Sequence, residues 1–489
     1  MKKLLSICLA LLLVAGLAVI PTGADAAAIA ADTTWYDESK TEFVLEDEAD
    51  LLGFAKLHAE GKTFAGMTIL LARDMDLNPD FTASVSAAQP TNVWANAKGT
   101  AFAGVFDGQG HSVKGIYSLE TTGGGSGSGI FGLVAAGTSA TIRNLILLNS
   151  IYRINRHQPG AIFGTVAGTA TISNVYSEME LYSYYQPANG GYFAGYVTGT
   201  LIVDRSVVAA TITSEKHKEM GGFAGFIAQG GNVTVTNSAF YGSLADSQNT
   251  TANSGFIDEN RGTLTVKNCI SAGTVAANSD GNVNSIVRNP NGTVTQVGIY
   301  IAENNLYTEE KTAAASQKGA TRVTSADLAG FYAWNEANPD AGFSTWDVID
   351  GKAYPTTLAW KVKGTNSEAV CLKNWQKTAV TGGKWAVRLL GGVDALDYEQ
   401  LELRLTVRNT EGKTATWTEE IAKVYGSILA DGETHTAASL ETAYIWAVVL
   451  EDIPEAQTAV DLDAAVYTVK DGVKTLVSVH SILVGGAEQ

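Results

Sequence analysis

Between residues 100 and 300 the chain alternates apolar and polar residues over short runs rather than at helical spacing. The run Thr171-Ile172-Ser173-Asn174-Val175 is typical, and Gly or Asn interrupts each such run. A period of two places side chains on opposite faces of a strand, whereas an amphipathic helix needs apolar residues at i, i+3 and i+4. The pattern therefore predicts many short β-strands separated by tight turns.

These strand patterns recur about every 30 residues. The apolar segment "SGIFGLVAAG" recurs in similar form as "GAIFGTVAG", "GYFAGYVTG" and "GGFAGFIAQGG". A fixed period of this length indicates a stacked architecture, in which equivalent strands of successive turns pair at about 4.8 Å. The predicted fold class is all-β, with a parallel β-helix of about 30 residues per turn. The aligned glycines are Gly132, Gly164, Gly195, Gly225 and Gly255.

A second marker, Asn or Asp, follows the strand pattern "TIRN", "TISN", "LIVD", "TVTN" or "TVKN" in each period. Asn and Asp tolerate the left-handed backbone conformation needed at a corner. Stacked side-chain amides can also form a hydrogen-bonded ladder along the solenoid axis. We therefore predict a structural ladder of Asn144, Asn174, Asp204, Asn237 and Asn268.

After residue 360 the period is lost, and longer strand patterns with hairpin signals such as "RNTEGK" and "VKDGVK" take over. About seven strands over residues 361–489 predict a small β-sandwich of immunoglobulin-like type. We expect this segment to have its own core and to fold when expressed alone.

The order of motifs over residues 42–360 resembles that of GLUG-repeat-containing exported or surface proteins of Gram-positive bacteria. "GGFAGFIAQGG" and "IFGLVAAG" resemble the repeats, and "FVLEDEADLLGFAKLHAEG" resembles the N-terminal cap. "VTSADLAGFYAWNEAN" with "STWDVIDGKAYPTTLAW" resembles the exit segment, and "VRLLGGVDALDYEQLELRLTV" resembles a sandwich module of clostridial exported proteins. The resemblance implies a surface-exposed β-helix with an adhesin-like or interaction role and no catalytic set.

The N-terminus has the pattern of a secretory signal peptide. Lys2 and Lys3 precede the apolar run Leu4 to Ile20, and the small-residue site Ala24-Asp25-Ala26 follows. We therefore expect export and a mature chain without a transmembrane segment. The predicted organisation is a signal peptide (1–26), a linker (27–41), an N-terminal cap (42–99), GLUG-like repeats (100–300), an exit segment (301–360) and the sandwich (361–489).

Composition narrows the classes of partner. The formal net charge is -17, which disfavours binding to nucleic acid or anionic membranes. Charged residues make up only 17% of the chain, and Gly is abundant at 51 residues, as expected for strands and turns. Three cysteines, one of them within the signal peptide, do not make a disulfide framework.

Motifs for a metal or cofactor fail their context tests, so none is expected. "DMDLNPD" begins like a calcium loop, but Pro79 takes the place of its turn glycine and Val85 that of its last carboxylate. "GSGIFG" neither follows a strong strand nor opens a helix, as a dinucleotide site requires. None of the six histidines lies in an H-E-x-x-H motif.

The segments that close successive turns carry the candidate ligand-binding residues. If the turns stack in register, segments 150–159, 180–189 and 211–220 lie side by side and form a basic, aromatic patch. Tyr and Arg favour recognition surfaces because they provide contact area at low entropic cost. The alternative is that these are ordinary solvated loop residues. The candidates are Arg153, Arg156, His157, Tyr182, Tyr184, Tyr185, Lys216 and His217.

The sequence thus favours a secreted or cell-surface, non-catalytic, adhesin-like protein whose partners are glycans or extracellular proteins. Two alternatives remain open. A polysaccharide-active β-helix enzyme would need a carboxylate pair or an Asp cluster with a base, and the carboxylates of the repeats are scattered. A purely structural cell-envelope spacer would bind nothing.

Overall fold

The computed structural model describes residues 28–484 apart from a set of short gaps. The gaps are 122, 124–127, 185–189, 216–219, 247–252, 276–285, 288–297, 309–318, 344, 350, 364–369, 381–383, 395–399, 410–413, 421–427, 431–432, 436–442, 455–459 and 471–472. Beyond residue 359 the described side chains are those of Glu402, Arg404, 465–469 and Leu476. The predicted signal peptide (1–26) lies outside the described residues.

The chain winds into a parallel β-solenoid of about five turns with about 31 residues per turn, which confirms the predicted repeat architecture. Two nine-stranded parallel sheets run along its length. Sheet 1 contains Glu42–Leu45, Thr68–Leu71, Val105–Asp107, Ser139–Arg143, Thr169–Ser173, Thr200–Asp204, Asn232–Thr236, Thr263–Lys267 and Ile299–Glu303. Sheet 2 contains Met75–Asp76, Ser112–Lys114, Ile146–Leu148, Tyr176–Ser177, Val207–Val208, Ala239–Phe240, Ile270–Ser271, Asn305–Tyr307 and Ala320–Arg322.

Shorter parallel sheets complete each turn. Sheet 3 contains Tyr117–Glu120, Ile151–Ile154, Glu180–Ser183, Thr211–Ser214, Ser243–Asp246 and Thr274–Val275. Sheet 4 contains Phe163–Val166, Ala194–Val197, Ala224–Ile227 and Ile257–Asn260, and Gly190–Gly191 pairs with Met220–Gly221 beside it.

Strand alternation builds the core directly. In Thr169–Ser173 the side chains of Ala170 and Ile172 point inward and are fully buried, while those of Thr169, Thr171 and Ser173 face outward. The parallel register repeats this arrangement from turn to turn, so that apolar residues stack into one continuous column. Its members in sheet 1 include Ala140, Ile142, Ala170, Ile172, Leu201, Val203, Val233, Val235, Leu264 and Val266.

The N-terminal end of the column is covered by helix α1, Glu48–Ala59. Asp47 caps the helix by accepting hydrogen bonds from the backbone N–H groups of Ala49 and Asp50. The buried face of α1 inserts Phe54 into an aromatic cluster with Phe64 and Phe106. Residues 28–41, predicted as a linker, lie against this cap, and the Asp32 N–H donates to the Ala49 carbonyl at 2.9 Å.

The corner between sheets 1 and 2 follows the asparagine marker, with one difference. The register pairs Asp204 with Ser173 and Thr236, one position before the corner, so Arg205 occupies the corner of that turn. Asn304 occupies the corner of a further turn, because the register pairs Lys267 with Glu303. Left-handed backbone angles mark the corner residues, with φ of 51° at Asn144, 57° at Asn174, 47° at Arg205, 48° at Asn237, 53° at Asn268 and 54° at Asn304.

Amide hydrogen bonds link these corners in two separate runs. The first joins Asn174 Nδ2 to Asn144 Oδ1 at 2.8 Å and Asn144 Nδ2 to Asp107 Oδ1 at 3.0 Å. The second joins Asn268 to Asn237 at 3.4 Å and Asn237 to Asp204 Oδ1 at 2.8 Å. Burial alone would raise the pKa of the Asp204 carboxyl. The charge of Arg205 and the hydrogen bonds that Asn237, Arg205 and Thr236 donate to the carboxylate have the larger effect, so the pKa is lowered.

The glycine column of sheet 4 also differs at one turn. A methyl group on Gly195 would lie 1.9 Å from the Gln158 carbonyl oxygen, so only glycine fits there. The register then sets Asp258, rather than Gly255, opposite Gly225. Gly255 lies opposite Gly222 instead, because Gly221 bridges Ser254. The strand pairing at this turn is therefore shifted by three residues from the alignment of the glycines. The motifs around Gly225 and Gly255 are locally similar, so the sequence did not reveal the shift.

The exit segment packs along the outer face of sheet 2. It consists of helices α2 (Ser325–Ala329) and α3 (Phe331–Ala337), a 3-10 turn (Pro339–Ala341), an antiparallel hairpin (Trp346–Ile349 with Lys352–Pro355) and helix α4 (Thr356–Lys363). Outward apolar residues of sheet 2, including Tyr176, Val207 and Ile270, are buried with this segment.

The C-terminal strands are antiparallel, as predicted, and form three sheets. The three-stranded sheet contains Val370–Val380, Lys384–Asp394 and Ala443–Pro454, and the four-stranded sheet contains Gln400–Asn409, Thr414–Glu420, Val460–Lys470 and Val473–Val484. Ile428–Ala430 pairs with Glu433–His435. Face-to-face packing of these sheets as a sandwich stays a prediction.

We expect Ile172→Ala to lower the free energy of unfolding by about 2–5 kcal/mol, because it leaves a cavity in the apolar column. Thr171→Ala, on the outward face of the same strand, is the matched control and should change it by about 0.5 kcal/mol or less. Chemical denaturation monitored by circular dichroism measures both. Equal losses in the two variants would contradict the assigned inward and outward faces.

Corner geometry makes a second prediction. Asn174→Ala should destabilise the fold by about 1–2 kcal/mol through left-handed backbone strain, and by about 1 kcal/mol more through the lost amide hydrogen bond. Asn174→Gly should recover the conformational part alone, since glycine adopts this backbone freely. Thermal melts of the two variants test this, and equal destabilisation by Ala and Gly would show that left-handed strain is not the determinant.

Candidate functional site

The candidate residues that the structure describes lie on and beside sheet 3, where the register sets outward positions in a row. Leu119 pairs with Arg153, Arg153 with Tyr182, and Tyr182 with Thr213. Arg153 and Tyr182 occupy the half-exposed positions of their strands, between buried neighbours. Sheet 3 therefore brings these two predicted residues together on adjacent strands.

Arg153 is the centre of a stacked group. Its guanidinium carbon lies 5.6 Å from the centroid of the Tyr182 ring and 6.0 Å from that of the Tyr117 ring. Both distances are within the range of cation–π attraction. Its Nη1 also donates to the Tyr117 hydroxyl at 3.2 Å. Tyr117 is itself buried, at 2% exposure, and supports Arg153 from within. We call Arg153, Tyr182 and Tyr184 the tyrosine–arginine surface.

Backbone carbonyl groups hold the arginine in place. Arg153 Nη1 lies 3.4 Å from the Ala87 carbonyl oxygen, and Nη2 donates to that of Val85. These bonds tie sheet 3 to a loop almost 70 residues earlier in the chain. Arg153 is thereby ordered, and much of its donor capacity is already used within the protein.

Tyr182 and Tyr184, the two candidate tyrosines that the structure describes, stack on each other. The rings of Tyr182 and Tyr184 are 6.0 Å apart with an interplanar angle of 27°, and the Tyr184 hydroxyl donates to the Glu120 carbonyl oxygen at 3.0 Å. Burial raises the pKa of both phenols, and the carboxylate of Glu215 raises that of Tyr182 further. Both hydroxyls therefore stay protonated at neutral pH and can donate hydrogen bonds.

Arg156 belongs to the interior rather than to the surface. Its Nε lies 3.6 Å from a carboxylate oxygen of Glu120, and the two side chains are 14% and 1% exposed. This pairing removes one of the charges on which the predicted basic character of the patch depended. His157 is half-buried beside it. Tyr185, Lys216 and His217 lie outside the described residues, and their predicted role stays a prediction.

Sequence reasoning missed Tyr117 and the Val85–Ala87 loop. Tyr117 begins the first strand of sheet 3, and the register pairs it with Ile151. No residue type therefore recurs at its position from turn to turn. The loop carbonyls carry no side-chain signal at all. Only the stacking of turns brings these groups to Arg153.

Two carboxylates flank the surface but are poorly placed for glycosidase chemistry. Glu180 begins its strand, and Glu215 follows the end of the next one. Their Cα positions are therefore separated by roughly 13 Å along the strand direction. Glycosidase carboxyl groups are about 5–9.5 Å apart, which would require both side chains to lean across Tyr182. Burial raises the pKa of Glu180.

Within the described ranges, no three His, Cys, Asp or Glu side chains converge as metal ligands would. Nor does any described helix combine the length and apolar character that crossing a bilayer requires. Cys269 is buried and unbridged, and burial raises the pKa of its thiol far above the usual range, so it remains protonated.

Comparison with known proteins adds little. No family model and no curated protein matches the chain. Among solved structures, the enzymatically active domain of tailspike protein 4 from bacteriophage CBA120 aligns at 10% identity with a TM-score of 0.12. That alignment covers 89% of this chain and 66% of the tailspike chain, slightly under two thirds. A TM-score of this size carries no conclusion about fold or function.

The buried position of Arg156 makes a prediction. Arg156→Met should remove the guanidinium beside the buried Glu120 carboxylate and lower the free energy of unfolding by about 3 kcal/mol, the scale of a broken buried ion pair. Lys267→Met is the control, because its pair with Glu303 at 2.7 Å is solvent-exposed and should contribute less than about 1 kcal/mol. Denaturant titrations of both variants measure the two changes. If Arg156→Met leaves the free energy of unfolding unchanged, the buried ion pair with Glu120 is contradicted.

Proposed function

We propose that this chain is an exported, non-catalytic binding protein of the cell surface. In this proposal the β-solenoid presents the tyrosine–arginine surface to an extracellular glycan. The supporting observation is the half-exposed Tyr182 ring stacked on Arg153, which the buried Tyr117 and the loop carbonyl groups hold in place before any ligand arrives. Preorganised aromatic and arginine side chains contribute strongly to recognition because little entropy is lost on binding.

The charge of the described residues around the surface favours a neutral glycan over an anionic one. Arg153 donates to backbone carbonyls, Arg156 is paired with Glu120, and Glu180 and Glu215 stand beside Tyr182. The protein as a whole carries a formal net charge of -17. A sulfated or uronate-rich chain would be repelled, whereas sugar hydroxyls can bond to phenols, guanidinium and carboxylates alike.

Export and surface location rest on the signal-peptide pattern of residues 1–26 and on the resemblance to GLUG-repeat proteins. The same resemblance supports an immunoglobulin-like module at residues 361–489. The acidic charge supports partners other than nucleic acid.

Two other functions predict different results. A polysaccharide lyase or glycosidase would release soluble sugars from a glycan panel. A structural spacer would bind no member of that panel.

Binding is tested with the full chain on a glycan and extracellular-matrix array, followed by titration of the best neutral glycan. Tyr182→Ala should weaken that affinity about tenfold or more, in line with the loss of a central aromatic contact. Tyr196→Ala is the matched control, since Tyr196 is also half-exposed but lies on sheet 4, and it should leave affinity unchanged.

Both variants should melt within a few degrees of the wild type. Equal affinity in Tyr182→Ala and wild type would remove the tyrosine–arginine surface as the binding face. Absence of any binding on the array would favour the spacer, and sugar release would favour the enzyme.

A further inference from the structure

The Asp347 carboxylate connects the exit hairpin to the C-terminal strands. Asp347 lies in the hairpin opposite Tyr354, and its side chain has no solvent exposure. Its Oδ1 accepts a hydrogen bond from the Tyr467 hydroxyl at 2.6 Å, and its Oδ2 lies 2.5 Å from Arg404 Nη2 and 2.6 Å from the Thr356 hydroxyl. Both carboxylate oxygens therefore have donors from outside the hairpin.

The donors come from neighbouring strands of the four-stranded sheet. Arg404 belongs to Gln400–Asn409 and Tyr467 to Val460–Lys470, and the register sets Arg404 opposite Ala465. The guanidinium carbon of Arg404 lies 5.0 Å from the centroid of the Tyr467 ring, and its side chain is 8% exposed. The Asp347 carboxylate thus contacts side chains from two strands that pair with each other in the four-stranded sheet.

The other side of the hairpin faces the solenoid. The Tyr354 ring lies 5.2 Å from that of Tyr241 and 6.4 Å from that of Tyr176, both from turns of sheet 2. The Tyr241 hydroxyl donates to the Ala353 carbonyl oxygen, and the Lys352 ammonium lies 5.5 Å from the Tyr241 ring. The hairpin is therefore held between the solenoid and the C-terminal strands.

Apolar packing follows the same path. One buried cluster contains residues of sheet 2, of the exit segment and of the C-terminal strands. The members that join them include Val207, Ile270, Trp346, Tyr354, Leu358, Ala465, Tyr467 and Leu476.

We propose that the exit hairpin is a docking surface for the C-terminal strands, with Asp347 as the anchor that binds Arg404 and Tyr467. A buried carboxylate and guanidinium are each costly to leave without the other, so docked arrangements that separate them are disfavoured, and the pair fixes the register in which the apolar surfaces meet. The consequence is that residues 361–489 are not a separately folding module joined by a linker. They form one cooperative unit with the exit segment, fixed to the flank of the solenoid.

The test uses the full chain and scanning calorimetry with limited proteolysis. Asp347→Asn should split a lower-temperature transition from the main one and speed cleavage within residues 361–489 about tenfold, since the buried Arg404 loses the charge of the carboxylate that it contacts at 2.5 Å. Asp340→Asn is the matched control, because Asp340 lies in the exposed 3-10 turn of the same segment and should leave both readouts unchanged.

A double variant separates docking from general damage. Asp347→Leu with Arg404→Met removes both charges, and it should resist proteolysis better than either single variant, because no buried charge is left unpaired. Additive losses in the double variant would overturn the proposed pair. So would an Asp347→Asn protein that behaves like Asp340→Asn, since the C-terminal strands would then be stable without the anchor.

Discussion

The parallel register between successive turns is the constraint on which the rest of the structure depends. Each inner strand of sheet 1 pairs by backbone hydrogen bonds with the strand before and the strand after it, as Thr200–Asp204 does residue for residue. That register decides which side chains face inward, since a slip of one residue would turn Ile172 outward and a threonine inward. The apolar column, the amide runs at the corner and the row of sheet 3 side chains are all consequences of it.

The same constraint explains how such a scaffold can present a surface. Inward positions must stay apolar to fill the column, but outward positions of sheet 3 are free of that requirement. Arg153 and Tyr182 use this freedom, and their spacing is set by the interstrand distance rather than by loop conformation. A site built on paired strands is more rigid than one built on loops, which is why the ordered stack supports a binding role better than the loop residues around it.

The sequence predicts the features of the structure that repeat from turn to turn, but not the features that occur once. The period, the inward residues and most corner asparagines repeat in the chain, so the pattern predicted them. Arg205 at a corner and Asp258 opposite Gly225 were missed because two turns shift by one and three residues while keeping similar local motifs. The contacts of Arg153 with Val85 and of Asp347 with Arg404 join segments far apart in the chain and have no periodic signal.

The central claim, that stacking in register holds the turns together, can be tested by deleting one whole turn. Removing residues 200–231 joins Gly199 to Asn232, which the register places where Thr200 stood. We expect this shortened chain to show a strand-rich circular dichroism spectrum and a cooperative melt at a lower temperature. Removing only residues 200–214 should abolish the cooperative melt, because the next strands then meet the wrong sheet. If both deletions unfold the protein alike, stacking in register is not what holds this chain together.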